Sequence, residues 1–144
     1  MLMIIFFVVQ NYKNKILSEI LDLKKLHAVN KPIETANGLP NECYTDKDYF
    51  DYEKNKVFCD KWTVIGVGSS IPNPGDVKPY NLLGIPLIMI RDKDMKIRVF
   101  HNVCSHRGFK LVDKTCSLKN VIRCPYHSWA YDFKGNLVAT PHIG

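Results

Sequence analysis

Apolar and polar residues alternate with two different periods along this chain, and the change of period marks its organisation. Over residues 14–27, Ile16, Leu17, Ile20, Leu21 and Leu26 recur with Lys and Glu between them, the spacing of a short amphipathic helix. Pro32, Asn37-Gly38 and Pro40 interrupt that pattern and predict an extended linker. Thr45, with Asp48 three residues on, reads as an N-cap that opens a helical turn or two through Tyr52. From Val57 the texture is that of strands. Residues 62–67 are β-rich, Pro72-Asn73-Pro74-Gly75 is a dense turn signal, and 76–82 follows as a strand. Residues 85–91 and 96–103 flank Asp92-Lys93-Asp94 as a hairpin, 121–123 is a short strand, and 131–140 holds another hairpin around Lys134-Gly135-Asn136. Many short strands joined by tight turns predict a mainly β domain, a sandwich or barrel, behind a helical N-terminal extension.

Composition narrows this picture. The chain has 144 residues, 46% hydrophobic and 11% aromatic, which is one domain's worth and excludes a disordered charged tail. The longest apolar run, residues 1–9, is far short of the roughly 20 residues of a membrane span. It has no basic flank before it and no clear small-residue cleavage site after it, so it reads as a buried or frayed terminus or a misassigned start rather than a signal peptide. Five cysteines, an odd number, argue against a disulfide framework and for a reducing, cytoplasmic setting. The net charge is +6, and residues 91–123 carry all of it, with nine Lys/Arg against three Asp. Such a window suits an acidic protein partner or a solvated face. Without an RNA-binding aromatic signature or a helix-turn-helix pattern, nucleic acid is the least favoured partner, and no membrane partner is expected.

Chemistry concentrates in two short motifs, Cys104-Ser105-His106 and Cys124-Pro125-Tyr126-His127. Each offers one thiolate and one imidazole from a loop beside a strand end. Two such loops brought together present two sulfurs and two nitrogens to metal. A tetrahedral Cys₂His₂ zinc site has that ligand count, and so does a Rieske 2Fe–2S centre, with two Cys on one iron and two His on the other. Chance clustering is the third reading. The usual zinc-finger order, a Cys-x-x-Cys pair followed by a His pair, is absent. Around the motifs, Gly108 would let backbone approach a cluster, Pro125 would stiffen its loop, and Tyr126 and Trp129 would cover the site and exclude water.

The stretch Asn102-Val103-Cys104-Ser105-His106-Arg107-Gly108 resembles the Rieske domain of aromatic-ring-hydroxylating (Rieske non-haem iron) oxygenase α subunits. Cys124-Pro125-Tyr126-His127-Ser128-Trp129 and Tyr131-Asp132-Phe133-Lys134-Gly135-Asn136-Leu137 continue the likeness. Upstream, Tyr44-Thr45-Asp46, Val57-Phe58, Trp62-Thr63-Val64-Ile65-Gly66, Pro74-Gly75-Asp76 and Leu83-Gly84-Ile85-Pro86-Leu87 extend it, so that it covers residues 41–144. Phe109 after Gly108 and Tyr126 between Pro125 and His127 depart from the disulfide-linked Rieske proteins, which carry an extra Cys in each motif. Cys116 lies off those positions and reads as an ordinary thiol.

The resemblance implies a Rieske-type antiparallel β-sandwich with a cluster-binding subdomain over 41–144, and a helical extension over 1–40. It implies that Cys104 and Cys124 bind one iron of a 2Fe–2S cluster while His106 and His127 bind the outer one. A reductase or ferredoxin would be the electron donor, drawn to the basic window that holds His106. In the family the oxygen chemistry occurs at a mononuclear Fe(II), held by two His and one carboxylate in a C-terminal catalytic domain, which is expected to lie outside these residues. His27, His101 and His142 show no ligand spacing with a carboxylate, so no catalytic residue is assigned. The expected role is thus the electron-transfer part of an oxygenase, a homotrimer in its full-length form and incapable of oxygenation alone. The competing roles are a stand-alone Rieske ferredoxin and a zinc module that binds a partner. The substrate is not legible in these residues.

Overall fold

In a computed structural model of the chain, the structure describes residues 17–141. The expected buried or frayed run 1–9 and His142 lie outside them. The described residues belong to two compact units, one ending at Val64 and the other beginning at Ile65.

The first unit is helical, with α1 (Leu17–Ile20), α2 (Leu23–His27), α3 (Glu42–Thr45) and α4 (Lys47–Glu53), which runs on into a wide turn at Lys54–Phe58. The single helix expected over 14–27 is broken. Asp22 is extended (φ −69°, ψ 108°) and its carboxylate accepts the Lys24 N–H at 2.9 Å. A short acidic side chain that can cap competes with helix continuation at its own position. The cap expected at Thr45 falls one residue later for the same reason. The Thr45 hydroxyl donates back to the Asn41 carbonyl at 3.1 Å, closing α3, while extended Asp46 accepts the Tyr49 N–H at 2.9 Å and starts α4.

The second unit is built from two antiparallel sheets. β1 (Asp76–Leu82), β2 (Ile85–Arg91), β3 (Ile97–His101) and β4 (Cys116–Ser117) form the first, in the order β3-β2-β1-β4. β5 (Ile122–Arg123), β6 (Ala130–Tyr131) and β7 (Leu137–Ala139) form the second, in that order. β2 is central, with Val77 opposite Ile90 on one side and His101 opposite Leu87 on the other. Its continuous burial from Leu87 to Ile90 follows from ladders on both edges and covered faces. β1 tolerates Pro79 because β4 pairs only with Asp76 and Val77, leaving no partner for the missing N–H. Gly75 (φ +89°) makes that pairing possible. A Cβ there would lie 2.0 Å from the Leu118 carbonyl oxygen, and the Leu118 N–H donates to the Gly75 carbonyl at 2.8 Å.

The sequence reading erred at residues 62–67, which form no strand. Trp62, Val64 and Val67 are exposed. β propensity reflects packing on a paired sheet, and these residues have no ladder to join. β4 was unforeseen, because two residues carry no periodicity. The two predicted hairpin turns are the same device used twice. Asp92 Oδ1 accepts the N–H groups of Asp94 and Lys96 at 2.9 and 2.8 Å, and Asp132 Oδ1 accepts those of Lys134 and Asn136 at 2.8 and 2.9 Å. Burial pushes the Asp92 carboxyl up, but the Arg98 guanidinium at 2.7 Å and these N–H groups outweigh it and hold it below the usual range.

The core of this unit joins the sheets. Val77, Ile88, Ile90 and Phe100 from the first pack with Ile122, Tyr131 and Phe133, and with Leu111 and Val112 between the sheets. Cys104 and Cys124 belong to this same apolar cluster.

Candidate metal centre

β3 ends at His101 and leads into Cys104; β5 ends at Arg123 and leads directly into Cys124. Both cysteines then start a six-residue loop closed by the same pair of backbone bonds. The Cys104 carbonyl accepts the Gly108 N–H at 2.9 Å, and its N–H donates to the Phe109 carbonyl at 2.7 Å. The Cys124 carbonyl accepts the Ser128 N–H at 3.0 Å, and its N–H donates to the Trp129 carbonyl at 2.8 Å. The fifth residue of each loop is left-handed, Gly108 at φ +69° and Ser128 at φ +60°.

Within these frames the two thiols are 2% exposed, whereas His106 and His127 are half-buried. The imidazole rings lie 4.8 Å apart, edge to face. Trp129 stacks on His106 at 4.6 Å and 9°, fixing the plane of that ring, and Tyr126 lies 3.8 Å from the His127 ring. All four predicted ligands are therefore in the two facing loops. Cys116 is exposed on β4, His101 ends β3, and Cys43, Cys59 and His27 belong to the helical unit.

Two residues that the sequence motifs contained without a stated role carry the support. Asn102 is 1% exposed. Its side-chain oxygen accepts the Leu111 and Val112 N–H groups at 3.1 and 2.9 Å, and its amide donates to the Val112 carbonyl at 2.6 Å. It thereby ties the strand entering the first loop to the segment leaving it. Tyr131 is fully buried. Its hydroxyl lies 3.3 Å from Cys104 Sγ and 2.8 Å from Ser105 Oγ, and accepts the Ser105 N–H at 3.0 Å. Burial pushes the phenol pKa up, the Cys104 contact adds to this, and the Ser105 contacts oppose it. A thiolate can only accept, so with Cys104 deprotonated the phenol would donate to it and the Ser105 hydroxyl would donate to the phenol. The available signal was a polar side chain seven residues after Cys124, on a strand that otherwise faces the core.

Two thiols and two imidazoles suit either a tetrahedral zinc ion or a 2Fe–2S cluster, and among the described residues no three His, Cys, Asp or Glu side chains are grouped closely enough to hold one metal ion as they stand. A 2Fe–2S cluster asks for only two donors per iron, two buried sulfurs and two outer imidazoles.

The Rieske [2Fe-2S] domain family matches residues 61–144. The carnitine monooxygenase oxygenase subunit of Escherichia coli is 38% identical over 104 residues, covering 72% of this chain and 28% of that protein. The benzene 1,2-dioxygenase α subunit of Pseudomonas putida is 36% identical over 109 residues, covering 76% and 24%. Among solved structures, the quaternary ammonium Rieske monooxygenase CntA with L-carnitine superposes with a TM-score of 0.67 at 36% identity, over 72% of this chain and 29% of the other. Naphthalene 1,2-dioxygenase from Rhodococcus sp. with bound indole gives 0.72 at 30% identity, over 83% and 26%. The chain thus spans about a quarter of the length of the relatives it matches.

Proposed function

The chain belongs to the Rieske 2Fe–2S domain family, and on that premise we propose that it is the electron-transfer module of a ring-hydroxylating-type oxygenase α subunit. In this reading Cys104 and Cys124 hold the inner iron, and His106 and His127 the outer one. The observation that carries it is the repeated loop, which buries both thiols and brings both imidazoles to 4.8 Å. When bound, such a cluster supplies a one-electron carrier whose neutral imidazole ligands raise its potential above that of plant-type ferredoxins.

The chain's own residues do the rest. The apolar core around Cys104 and Cys124 keeps water from the inner side, which favours the less charged state. Trp129 and Tyr126 hold the two imidazole planes, so that the ligand edge changes little between redox states. With Cys104 as a thiolate, Tyr131 donates to it and is itself fixed by Ser105. The donor would be a reductase or ferredoxin, working in the cytoplasm, and the acceptor a mononuclear iron in a separate oxygenase domain. The names of the relatives, a carnitine monooxygenase and a benzene dioxygenase, make an oxygenase partner domain the favoured acceptor over a free ferredoxin role.

Metal and sulfide analysis of anaerobically purified protein tests the assignment. We expect two irons and two acid-labile sulfides per chain, with visible absorption lost in Cys104→Ser. Zinc without iron or sulfide would overturn it. The open reading frame past Gly144 distinguishes the oxygenase from the carrier: a second domain with a two-His, one-carboxylate pattern supports the former.

A further inference from the structure

The segment that joins α2 to α3 carries the chain's single Asn-Gly pair, Asn37-Gly38. The backbone N–H groups leading into it have partners. Thr35 and Ala36 donate to the Pro32 carbonyl, each at 2.9 Å, and Asn37 donates to the Ala28 carbonyl at the end of α2 at 3.0 Å. The Gly38 N–H and the Asn37 side-chain amide, by contrast, have no hydrogen bond among the described residues. Both residues are exposed, and a Cβ built on Gly38 would meet nothing within 4 Å. Asn55, Asn73, Asn81, Asn102, Asn120 and Asn136 differ, because hydrogen bonds hold each of their side-chain amides. A free side-chain amide beside a free backbone N–H, with no side chain on the following residue to hinder their approach, is the arrangement for intramolecular cyclisation.

We propose that Asn37 is a site of spontaneous covalent modification, converted to aspartate and isoaspartate through a cyclic imide with Gly38. The Gly38 nitrogen gives up its proton and bonds to Asn37 Cγ, the Cγ–Nδ2 bond breaks, and ammonia leaves with that proton. Solvent water then opens the imide. Cleavage at the Cγ–N bond leaves aspartate in an unaltered backbone. Cleavage at the bond to the main-chain carbonyl carbon leaves isoaspartate, with the chain running through Cβ and Cγ. Nothing is oxidised or reduced, and water is the only reactant added. Either product replaces a neutral amide with a carboxylate that is ionised at neutral pH, and isoaspartate also adds one carbon to the main chain. That carbon falls between α2 and α3, whose Lys25 and Glu42 pair at 3.1 Å, so the isomer lengthens a connection whose ends are tied together. The site lies in the helical unit and is independent of the metal assignment.

The test ages the purified full chain in warm, mildly alkaline buffer and follows its peptides by mass spectrometry, with fragmentation to place each change. A gain of roughly 1 Da, ammonia lost and water added, is expected at Asn37 ahead of the six hydrogen-bonded asparagines. A protein-isoaspartate methyltransferase supplied with labelled S-adenosylmethionine should label the aged protein and leave fresh protein unlabelled. Gly38→Ala, whose methyl group has open space to occupy, is expected to slow the conversion by about tenfold, the rate equivalent of the hindrance it adds. Asn37→Gln, whose longer side chain must close a larger ring, should abolish it over the same period. Circular dichroism of both variants stays at wild type, because neither removes a bond that the structure shows. Equal rates in wild type and Gly38→Ala, or conversion of a hydrogen-bonded asparagine before Asn37, would overturn the proposal. So would an aged protein in which Asn37 keeps its mass. A mass gain without methyl label would mean plain hydrolysis of the amide and would overturn the imide route.

Discussion

The loop after β3 and the loop after β5 close with the same two backbone hydrogen bonds, yet they are held in place by different means. The second is clamped by a ladder, since Ile122 faces Tyr131 and Arg123 faces Ala130 immediately before and after it. The first has no such ladder. Its ends are joined by the Asn102 side chain, and its Ser105 by the Tyr131 phenol. The histidine also differs, two residues after the cysteine in one loop and three in the other, yet the rings meet at 4.8 Å. A common frame fixes the sulfurs, then, while side chains outside the frame decide how the two halves face each other.

Equivalence of the frames is tested first, where the effect is largest. Cys104→Ser and Cys124→Ser should each abolish visible absorption and iron content completely, because each removes one of two thiolates from the same iron in the proposed site. If either variant retained full iron and an unchanged spectrum, the two loops would not serve one centre.

The difference in anchoring comes next. Asn102→Ala leaves two N–H groups and one carbonyl without the partner they have now. At roughly 1 kcal/mol or more for each buried group, the loss in denaturant-measured stability should reach about 3 kcal/mol. Arg123→Ala removes only an exposed bond to the Ser128 carbonyl at 3.2 Å and should stay within about 0.5 kcal/mol. Equal losses would mean that the second loop depends on a side chain as much as the first does.

How much of this could be read in the chain follows the same division. The two Cys/His loops and the strands over 76–82 and 85–91 were legible, because β-rich runs bounded by turn residues write themselves locally. Asn102 and Tyr131 were visible as residues but not as supports, since their partners lie 9–10 and 26–27 positions away. Residues 62–67 show the converse. Trp62, Thr63, Val64 and Ile65 have the composition of a strand, but strand formation needs a partner that no local pattern supplies. At Asp22 and Asp46, one carboxylate bond to a backbone N–H decided a helix boundary that periodicity alone placed elsewhere.

The phenol of Tyr131 sharpens the comparison at the level of redox poise, since it acts on Cys104 of the first loop. A hydrogen bond donated to a thiolate is worth more when the site gains an electron, so its removal lowers the reduction potential. Tyr131→Phe should shift the midpoint downward by an amount equivalent to about 1 kcal/mol, roughly 40 mV for one electron. Protein-film voltammetry measures it, with iron content as the control. Ser105→Ala, which removes the hydroxyl that fixes the phenol at 2.8 Å, should give a smaller shift of the same sign. An upward shift in either variant would mean that the phenol does not donate to Cys104.

The smallest effect separates the loops at their left-handed residue. At Gly108 a Cβ would meet nothing within 4 Å, so Gly108→Ala is opposed by backbone strain alone. Holding a non-glycine residue at φ +69° costs about 1–2 kcal/mol, and the stiffer unfolded chain returns roughly 0.5–1. The net loss expected is about 1 kcal/mol. Ser128 already bears such strain at φ +60°. Ser128→Gly relieves it but enlarges the entropy of the unfolded chain by a similar amount, so its stability should stay within about 0.5 kcal/mol of wild type. The loops therefore answer opposite substitutions unequally, although their backbones match. Denaturant titration of the iron-loaded proteins reads the difference. A neutral Gly108→Ala alongside a strongly stabilised Ser128→Gly would show that the first loop can leave its left-handed turn while the second is trapped in it, and the shared frame would then be a resemblance of bonds but not of energies.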